Sequence, residues 1–329
     1  MKIAIFSTKY YEKEYLNKHN PKGLHELTFF DVALNSQTAN LASGFDAVCV
    51  QLTDILDAAT IDLLSQYQIK LIDLRSAGFD NVDVKAAAKN NIKVFRVPAY
   101  SPQAIAEHAV ALILTLDRKT HKAYNRVREN NFSLQNLMGF NLYGKTVGVV
   151  GTGKIGSAFC NIMLGFGCTV LAHDIVESKV LITKGVAYTS LDKLFQTSDI
   201  ISIHCPLTPN TRHLFDKKAF EKMKKGVMLI NTSRGALIKT ADAIDALKNG
   251  MIGYLGIDVY EGEEKIFFRD LSSTIVPDDL IERLMSFNNV LITPHQAFFT
   301  KEALDEIARI TLLNFTDFEN GTASENEIR

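Results

Sequence analysis

Three apolar runs of this chain end in residues whose side chains can bind an anion or exchange a proton. The run GVMLINT (226–232) leads into Ser233 and Arg234, YLGIDVY (254–260) leads into the acidic segment EGEE, and NVLITP ends at His295. Each run has the composition of a short buried strand. Because ligands of α/β sheets bind outside the carboxyl ends of the strands, we expect the arginine, an acid and the histidine at one sheet edge.

Hydride transfer to a 2-oxo acid needs these three side-chain types. A guanidinium grips the carboxylate and polarises the keto oxygen, while an imidazole, with an ordinary pKa of about 6.5, supplies the proton. A carboxylate beside the imidazole keeps it protonated. Each residue also has an ordinary structural explanation: His295 as a hydrogen-bonding loop residue, Arg234 as a surface charge and EGEE as a solvated turn. Their combination favours the catalytic interpretation.

A glycine-rich turn follows a fourth apolar run, KTVGVV, and opens a helical pattern. Gly151 permits a tight turn, Gly153 lets the backbone approach a pyrophosphate, and Gly156 lets the helix pack on the sheet. The helix N terminus offers N–H groups to phosphates. A second strand (168–173) then ends at Asp174, where such a site binds the ribose hydroxyls. A glycine turn of another α/β unit is the alternative, but all parts occur in the order of a dinucleotide site.

Asp174 also bears on which nicotinamide cofactor is bound. A carboxylate accepts hydrogen bonds from ribose hydroxyls but repels a 2′-phosphate, and the next residues, Ile175, Val176 and Glu177, supply no arginine. The sequence therefore predicts NAD rather than NADP.

Length, charge and cysteine usage exclude several classes of protein. A chain of 329 residues is too long for one core, and its net charge of −1 gives no basic face for nucleic acid. No run approaches the about 18 apolar residues that span a membrane, and because Met1 leads directly into an apolar strand pattern we expect no signal sequence. We expect a cytoplasmic protein in which Cys49, Cys160 and Cys168 are core residues, with no metal site.

Strands alternate with helical patterns in two series, which predicts an α/β fold with parallel sheets. The first series has strands at 2–8, 46–52, 70–76 and 92–98, and the second continues from the glycine turn with strands at 199–205, 226–232, 254–260 and 289–295. We expect two doubly wound domains. A Rossmann NAD-binding domain (101–298) is inserted into a flavodoxin-like substrate domain formed by both chain ends (1–100 and 299–329).

Two further segments carry expectations of their own. The stretch QAIAEHAVALILTL, from Gln103, is apolar almost all round, so we expect it to be buried against another subunit or between domains. This predicts a homodimer or homotetramer. The polar C-terminal segment GTASENEIR is expected to be mobile.

Five segments resemble those of the D-isomer-specific 2-hydroxyacid dehydrogenases: NTSRGALI (231–238), GIDVYEGEE (256–264), TPHQAF (293–298), RSAGFDNVD (75–83) and VPAYSPQAIAEHA (97–109). Within that family they are most similar to the fermentative D-lactate dehydrogenases. The resemblance extends from the first strand to the last helix. It implies reduction of pyruvate to D-lactate, with NADH as the hydride donor.

The resemblance also implies roles for the residues at the strand ends. Arg234 binds the substrate carboxylate and carbonyl, His295 is the proton donor, and Glu263 pairs with His295. Among the neighbouring acids, Glu263 is the one five positions beyond Asp258, which is where the family has its acid. The implied cofactor contacts are Gly151, Gly153, Lys154, Ile155, Gly156, Asp174, Cys205, Pro206, Thr211, Thr232, Ser233, Arg234 and Asp258.

The implied substrate contacts are Ala77, Gly78, Tyr100, Arg234, His295 and Phe298. A turn of small residues such as Ala77 and Gly78 can direct consecutive N–H groups at an anion, although the same residues suit an ordinary turn. Tyr100 and Phe298 could equally be core aromatics. Two other functions stay open because fold does not fix function: a dehydrogenase for a bulkier D-2-hydroxy acid, and a non-catalytic NAD-sensing protein.

Overall fold

Short runs rich in valine and isoleucine form the strands of this protein, and runs with one apolar face form its helices. The computed structural model describes residues 1–328, apart from the side chains of Lys22 and Lys265. The strands of this part of the chain are β1 Lys2–Ile5, β2 Glu26–Phe29, β3 Ala47–Val50, β4 Leu71–Leu74, β5 Lys93–Arg96, β6 Thr146–Val150, β7 Thr169–His173, β8 Ala187–Tyr188, β9 Ile200–Ile203, β10 Val227–Asn231, β11 Ile252–Ile257, β12 Val290–Ile292 and β13 Glu327–Ile328.

The α-helices of the same residues are α1 Tyr10–His19, α2 Ala58–Gln66, α3 Val84–Lys89, α4 Pro102–Arg118, α5 Thr120–Arg128, α6 Lys154–Gly165, α7 Lys179–Thr183, α8 Leu191–Thr197, α9 Lys217–Lys222, α10 Thr240–Lys248, α11 Asp279–Met285 and α12 Lys301–Glu319. The chain divides into two compact units. Unit 1 is Met1–Ser101 with Phe299–Arg329, and unit 2 is Pro102–Phe298.

Unit 1 contains a six-stranded sheet in the order β13-β5-β4-β3-β1-β2. Strands β1 to β5 are parallel and have the flavodoxin-like order 2-1-3-4-5. Strands β3 and β4 are buried along their whole length, because α2 and α3 contribute to the core on one face and α1 and α12 on the other. Burial on both faces explains why β3 is a continuous apolar run, whereas β4 contains one polar residue, the buried Asp73.

Unit 2 contains a seven-stranded parallel sheet in the order β12-β11-β10-β9-β6-β7-β8. From β8 to β11 this is the dinucleotide-binding order 3-2-1-4-5-6, with β12 as an additional strand. Helices α4, α6 and α7 cover one face, and α8 to α11 cover the other. The order in which strands are added to the sheet reverses between β6 and β9, so the glycine turn after β6 lies where such sheets bind ligands.

Helix α4 is buried within its own unit, where its apolar residues join the core formed by β6, β7 and α6. A Cβ atom on Gly256 of β11 would lie 3.0 Å from Leu116 Cδ1 and 3.3 Å from Leu112 Cβ, so this glycine lets α4 pack closely on the sheet. Most of the buried residues of this helix are therefore covered by unit 2 itself, and its contact with a second subunit stays a prediction. Its apolar surface gives no support for an oligomer.

The C-terminal segment forms a strand, contrary to the expectation of a mobile tail. Glu327 and Ile328 pair antiparallel with Phe95 and Val94 of β5. The backbone of an edge strand offers unpaired N–H and C=O groups to any extended segment, whatever its side chains. The polar composition of the C-terminal segment therefore did not exclude a strand. Strand β2 was not predicted from the sequence either.

The four cysteines are unpaired, and Cys49, Cys160 and Cys168 are buried as expected. Burial raises the pKa of the Cys49 and Cys160 thiols to about 12, so both stay neutral at physiological pH. Residues 1–328 contain no cluster of three or more histidine, cysteine or acidic side chains arranged to hold a metal ion. In the same residues, no helix is both long enough and apolar enough to cross a bilayer.

Candidate active site

A histidine and a glutamate meet at the carboxyl end of the unit 2 sheet. His295, which follows β12, places Nδ1 2.9 Å from Oε1 of Glu263, which lies in a short turn after β11. Their side chains are 13% and 22% exposed. Oε2 of Glu263 accepts a hydrogen bond from the backbone N–H of Tyr260 (2.8 Å). An ionised carboxylate only accepts, so Nδ1 of His295 carries the hydrogen of this bond.

The loop that carries His295 is held by the buried carboxylate of Asp258. Oδ1 accepts from the N–H of Gln296 (2.9 Å) and the hydroxyl of Thr293 (2.5 Å), and Oδ2 accepts from the N–H of Ala297 (2.9 Å). The N–H of His295 also donates to the Asp258 carbonyl oxygen (2.8 Å). Asp258 therefore positions the histidine loop, a function that the sequence did not reveal, and its predicted contact with the cofactor stays a prediction.

His108 of α4 completes this arrangement and was missed from the sequence. Its Nε2 lies 3.0 Å from Thr293 Oγ1 and 3.4 Å from Asp258 Oδ1. The available signal was an imidazole inside the apolar run QAIAEHAVALILTL. A polar side chain on a core helix needs a partner, and here the partners are the residues that hold the His295 loop.

Arg234 follows β10, on the strand next to β11. Its Nη1 donates to the carbonyl of Ser233 (2.8 Å), and Asn231 Nδ2 donates to the Arg234 carbonyl (2.9 Å). A Cβ atom on Gly235 would lie 2.1 Å from the carbonyl carbon of Tyr260. The arginine loop thus packs directly on the segment that leads to Glu263. The ends of β10, β11 and β12 bring the predicted arginine, acid and histidine to one sheet edge.

The structure separates the three acids of the EGEE segment. Glu261 lies 2.5 Å from His213 Nε2 and accepts from the hydroxyl of Thr240 (3.1 Å), while Glu264 is exposed. Burial alone would raise the pKa of Glu261, but the hydrogen bonds from His213 and Thr240 outweigh it and lower the pKa. Glu261 therefore joins neighbouring loops, and Glu263 is the acid next to the histidine at the sheet edge.

The glycine turn after β6 has the shape of a phosphate site. Gly151 has φ +93°, and a Cβ atom there would lie 2.5 Å from the Cys205 nitrogen. A Cβ atom on Gly156 would lie 2.0 Å from the Gly151 carbonyl oxygen, so both glycines allow close backbone packing. A Cβ atom on Gly153 would meet no protein atom within 4 Å. The space beside Gly153, at the start of α6 at Lys154, fits a pyrophosphate.

Asp174 follows β7, beside the same turn. Its Oδ2 accepts from the N–H (2.5 Å) and the hydroxyl (3.0 Å) of Thr152, and its Oδ1 accepts from the N–H of Val176 (3.3 Å). Burial would raise the pKa of Asp174, but these hydrogen bonds outweigh burial and the pKa lies below its ordinary value. Tyr188 also donates to Thr152 (2.8 Å). An ionised carboxylate at this position suits ribose hydroxyls.

The other predicted cofactor contacts lie on loops after β9 and β10. Thr211 donates to the carbonyl of Pro206 (2.7 Å), and Ser233 donates to the last carbonyl of β9 (2.8 Å). Burial raises the pKa of Cys205 to about 11, so its thiol is neutral. The hydroxyl of Thr232 is buried without a hydrogen-bond partner in the protein. A buried hydroxyl without a protein partner is available to a ligand or a water molecule.

Comparison with known proteins agrees with this geometry. The profile described as "D-isomer specific 2-hydroxyacid dehydrogenase, NAD binding domain" matches residues 110–297. The D-lactate dehydrogenase of Escherichia coli K12 is 50% identical over 328 residues, which is 100% of each chain. The chain belongs to the D-isomer-specific 2-hydroxyacid dehydrogenase family.

Solved structures of the family have the same fold. The apo structure of D-lactate dehydrogenase from Escherichia coli superposes with a TM-score of 0.91 at 48% identity, covering 100% of both chains. The pyruvate reductase of Chlamydomonas reinhardtii gives a TM-score of 0.93 at 44% identity, covering 99% of this chain and 98% of the other. The predicted α/β fold is confirmed, with a Rossmann domain and a substrate domain, and NAD is the cofactor of this dehydrogenase family member.

The remaining predicted substrate contacts belong to loops of both units. Ala77 and Gly78 form part of the loop after β4 in unit 1, and Tyr100 follows β5 in the same unit. Phe298 is the last residue of unit 2. All four are partly exposed, and their contacts with substrate stay predictions.

Proposed function

We propose that this protein is an NAD-dependent D-lactate dehydrogenase that reduces pyruvate to D-lactate with NADH. The observation that carries the proposal is the 2.9 Å contact between His295 Nδ1 and Glu263 Oε1 in a dinucleotide-binding unit. The 50% identity with the Escherichia coli D-lactate dehydrogenase over the whole chain supports pyruvate as the 2-oxo acid.

In the proposed reaction, His295 donates the proton and Glu263 stabilises and orients the His295 ring. Glu263 stabilises the imidazolium form of His295 and fixes the ring through Nδ1, so Nε2–H faces the substrate oxygen. NADH, when bound, supplies the hydride. The carbonyl carbon gains the hydride and its oxygen gains the Nε2 proton, which leaves His295 neutral until it takes a proton from solvent. Lactate oxidation runs the same steps in reverse, with His295 as the base.

Arg234 and the loop after β4 are proposed to bind the 2-oxo acid. A guanidinium donates two parallel hydrogen bonds, which suits the substrate carboxylate and its adjacent keto oxygen. The N–H groups of Ala77 and Gly78 contribute further donors to the carboxylate, with Tyr100 and Phe298 beside the substrate. These contacts favour the charge that develops on the keto oxygen during reduction.

The residues proposed to hold NAD surround the glycine turn and the ends of β7, β9 and β10. Backbone N–H groups at the start of α6 bind the pyrophosphate, Asp174 accepts from the ribose, and the orphaned Thr232 hydroxyl gains a partner. The remaining proposed contacts are Gly151, Gly153, Lys154, Ile155, Gly156, Cys205, Pro206, Thr211, Ser233, Arg234 and Asp258.

The proposal is tested by following NADH absorbance with pyruvate, phenylpyruvate and hydroxypyruvate in parallel. We expect the highest kcat/KM with pyruvate and a product that only a D-specific lactate assay detects. Preference for phenylpyruvate would instead identify a dehydrogenase for bulkier acids. NADH binding without turnover of any of the three would identify an NAD-sensing protein. The matched control is His295→Asn, which should bind NADH but not turn over pyruvate.

We further propose that the protein forms a homodimer through the exposed apolar side chains of unit 2 between residues 124 and 143. Phe132, Leu134 and Met138 are 71%, 82% and 87% exposed, and Tyr124 and Tyr143 are exposed as well. So many exposed apolar residues in one stretch of chain are typical of an interaction surface. Sedimentation equilibrium should give a dimer mass for the wild type and a monomer mass for Leu134→Asp/Met138→Asp. A tetramer mass would indicate a second interface.

A cytoplasmic location is proposed from the cysteines. Three of the four thiols are buried and all are unpaired, which is typical of a reducing compartment. Fractionation of cells that produce the protein should recover it with cytoplasmic markers, and recovery with a secreted fraction would contradict the proposal.

A further inference from the structure

The C-terminal segment holds the backbone of Arg96, at the end of β5, from both sides. The N–H of Arg96 donates to the carbonyl of Asn326 (3.1 Å), and the carbonyl of Arg96 accepts from Asn314 Nδ2 of α12 (3.1 Å). Asn326 Nδ2 in turn donates to Asn314 Oδ1 (2.7 Å), and Asn314 Nδ2 also donates to the buried Asp73 (2.8 Å). The amide of the fully buried Asn314 thus joins β4, β5 and the C-terminal segment.

The side chain of Arg96 extends to the loop that follows β4. Its Nη1 donates to the carbonyl of Ala77 (2.7 Å), and its guanidinium carbon lies 5.1 Å from the centre of the Phe79 ring. Ser76 Oγ donates to the carbonyl of Gly78 (2.8 Å). Two consecutive carbonyls of this loop are therefore fixed by side chains, and Arg96 contacts the residue on each side of Gly78.

Fixing a carbonyl also fixes the N–H group of the next residue. The two groups belong to one planar trans peptide, in which they point in opposite directions. The hydrogen bond from Arg96 to the Ala77 carbonyl consequently directs the Gly78 N–H away from Arg96. The guanidinium also places a positive charge beside the loop, which favours an anion there.

We propose that Arg96 is a positioning residue for the substrate carboxylate, and that Asn326 and Asn314 keep Arg96 in place. This inference rests on the proposed function, in which the Ala77–Gly78 loop binds that carboxylate. It gives the C-terminal segment a part in substrate affinity through its hydrogen bond to the Arg96 backbone.

The experiment compares Arg96→Met, Arg96→Lys and Asn326→Ala with the wild type. For Arg96→Met we expect the KM for pyruvate and the inhibition constant of oxamate, an isosteric analogue of pyruvate, to rise about 10-fold, the factor typical of losing a charged hydrogen bond. Arg96→Lys keeps the charge without the planar fork, so its KM should be intermediate. Asn326→Ala should raise the KM about threefold, as loss of a neutral hydrogen bond does. The KM for NADH should stay at the wild-type value in all three.

The matched control is Lys93→Met on the same strand. The exposed Lys93 forms an ion pair with Glu327 of the same C-terminal segment (3.5 Å), and no described contact of the Ala77–Gly78 loop involves Lys93. Its KM for pyruvate should equal that of the wild type. A second test is chemical rescue: millimolar guanidinium should lower the raised KM of Arg96→Ala, whereas the same concentration of sodium chloride should not.

The outcomes separate this inference from the proposed function. Wild-type turnover of pyruvate with an unchanged pyruvate KM in Arg96→Met overturns the positioning role alone. An equal rise of the KM for pyruvate and for NADH, without rescue, also overturns it and makes Arg96 a stabilising residue of unit 1. If the NADH-loaded wild type neither reduces a 2-oxo acid nor binds oxamate in calorimetry, the proposed function and this inference both fall.

Discussion

His295 reaches Glu263 with its backbone in the left-handed region, at φ +55°, and with Nδ1 2.9 Å from the Glu263 carboxylate. This conformation is uncommon outside glycine and occurs most often where the surroundings enforce it. Here the enforcing group is Asp258, which accepts hydrogen bonds from three consecutive backbone N–H groups, residues 295 to 297, through its carbonyl and carboxylate. The pair is therefore held before any ligand binds.

Replacing either member of the pair should slow the chemical step. His295→Asn should lower kcat for pyruvate reduction by about 10²–10⁴-fold, the range for losing a general acid, with NADH binding unchanged. Glu263→Gln should cause a smaller loss because the amide can still accept from Nδ1–H.

In the wild type the reduction rate should fall as pH rises and lactate oxidation should increase, since the two directions need opposite protonation states of His295. The same pH profile in both directions, with chemistry rate-limiting, would contradict the assignment.

Arg234→Gln should weaken 2-oxo acid binding and turnover together. Removing one partner of a charged contact costs about 3–4 kcal/mol, so kcat/KM for pyruvate should fall by about 10²–10³-fold. NADH should still bind, as measured by fluorescence titration, because the other proposed cofactor contacts remain. Lys239→Gln is the control, because Lys239 lies in the same loop region but forms an exposed ion pair with Asp242 (3.3 Å). Equal kinetics of Arg234→Gln and Lys239→Gln would refute the role of Arg234.

Two glycines of the cofactor turn should respond differently to alanine. Gly156→Ala places a methyl group 2.0 Å from the Gly151 carbonyl oxygen, which should lower the free energy of unfolding by about 1–3 kcal/mol or more. Gly153→Ala meets no protein atom within 4 Å, so the apo protein should keep its melting temperature. Its dissociation constant for NADH should rise at least about 10-fold, because the methyl group occupies the pyrophosphate space. Normal NADH binding by Gly153→Ala would place the pyrophosphate elsewhere.

Asp174 should set the preference for NADH over NADPH. Asp174→Ala removes the ribose acceptor and the repulsion of a 2′-phosphate, so the ratio of kcat/KM for NADH to that for NADPH should fall by about 10²-fold. Because the pKa of Asp174 lies below its ordinary value, the carboxylate should remain charged and the wild-type preference should persist in weakly acidic buffer. Glu177→Ala, an exposed acid three residues further on, should keep the wild-type ratio. An unchanged ratio in Asp174→Ala would count against this role.

His204 should make the apo protein sensitive to acid. Its Nδ1 is buried without a partner, and burial lowers the pKa of His204 from 6.5 to about 3. Above pH 6.5 the imidazole is neutral in both folded and unfolded chains and contributes nothing. Between pH 6.5 and pH 3 only the unfolded chain takes up the proton, so at pH 5 the free energy of unfolding should be lower by about 1–2 kcal/mol.

The measurement that checks the role of His204 is denaturant unfolding without NADH at pH 8 and pH 5. His204→Gln keeps a polar partner for Ser202, which lies 2.9 Å from His204 Nε2, but cannot take up the proton. The variant should therefore lose less stability than the wild type on acidification, whatever its stability at pH 8. An identical loss in both proteins would show that other groups cause the acid sensitivity.

The sequence was a good guide to local structure. The predicted strands lie inside their predicted runs apart from β11, which begins two residues earlier, while β2, β8 and β13 were not predicted. Periodicity reports which faces are buried, and capping and glycine residues report where elements begin and end. A buried pattern does not show which elements cover it. The apolar residues of α4 were recognised from the sequence, but the core of β6, β7 and α6 that covers them was not.

For the site, residue types indicated an arginine, an acid and a histidine at one sheet edge, and family resemblance chose Glu263 among three acids. In the fold, Glu261 contacts His213, whereas Glu263 contacts His295. The two acids are only two residues apart, so local sequence cannot distinguish them. The difference lies in the distant loop that each acid contacts. The support that Asp258 and His108 give to the His295 loop could not be predicted from the sequence for the same reason. Their partners lie 35 and 185 residues away along the chain, at Thr293.

By itself, the sequence determined the α/β class, the NAD-type glycine turn and the side chains available for hydride-transfer chemistry, since these depend on residue type and short-range spacing. The tertiary structure decided which side chains meet. The Glu263–His295 pair, the Asp258 support of the histidine loop and the hold of the C-terminal segment on Arg96 all join residues that are far apart in the chain. Parallel strands joined by helices bring such residues to one edge, and that juxtaposition follows from strand order rather than from any local pattern.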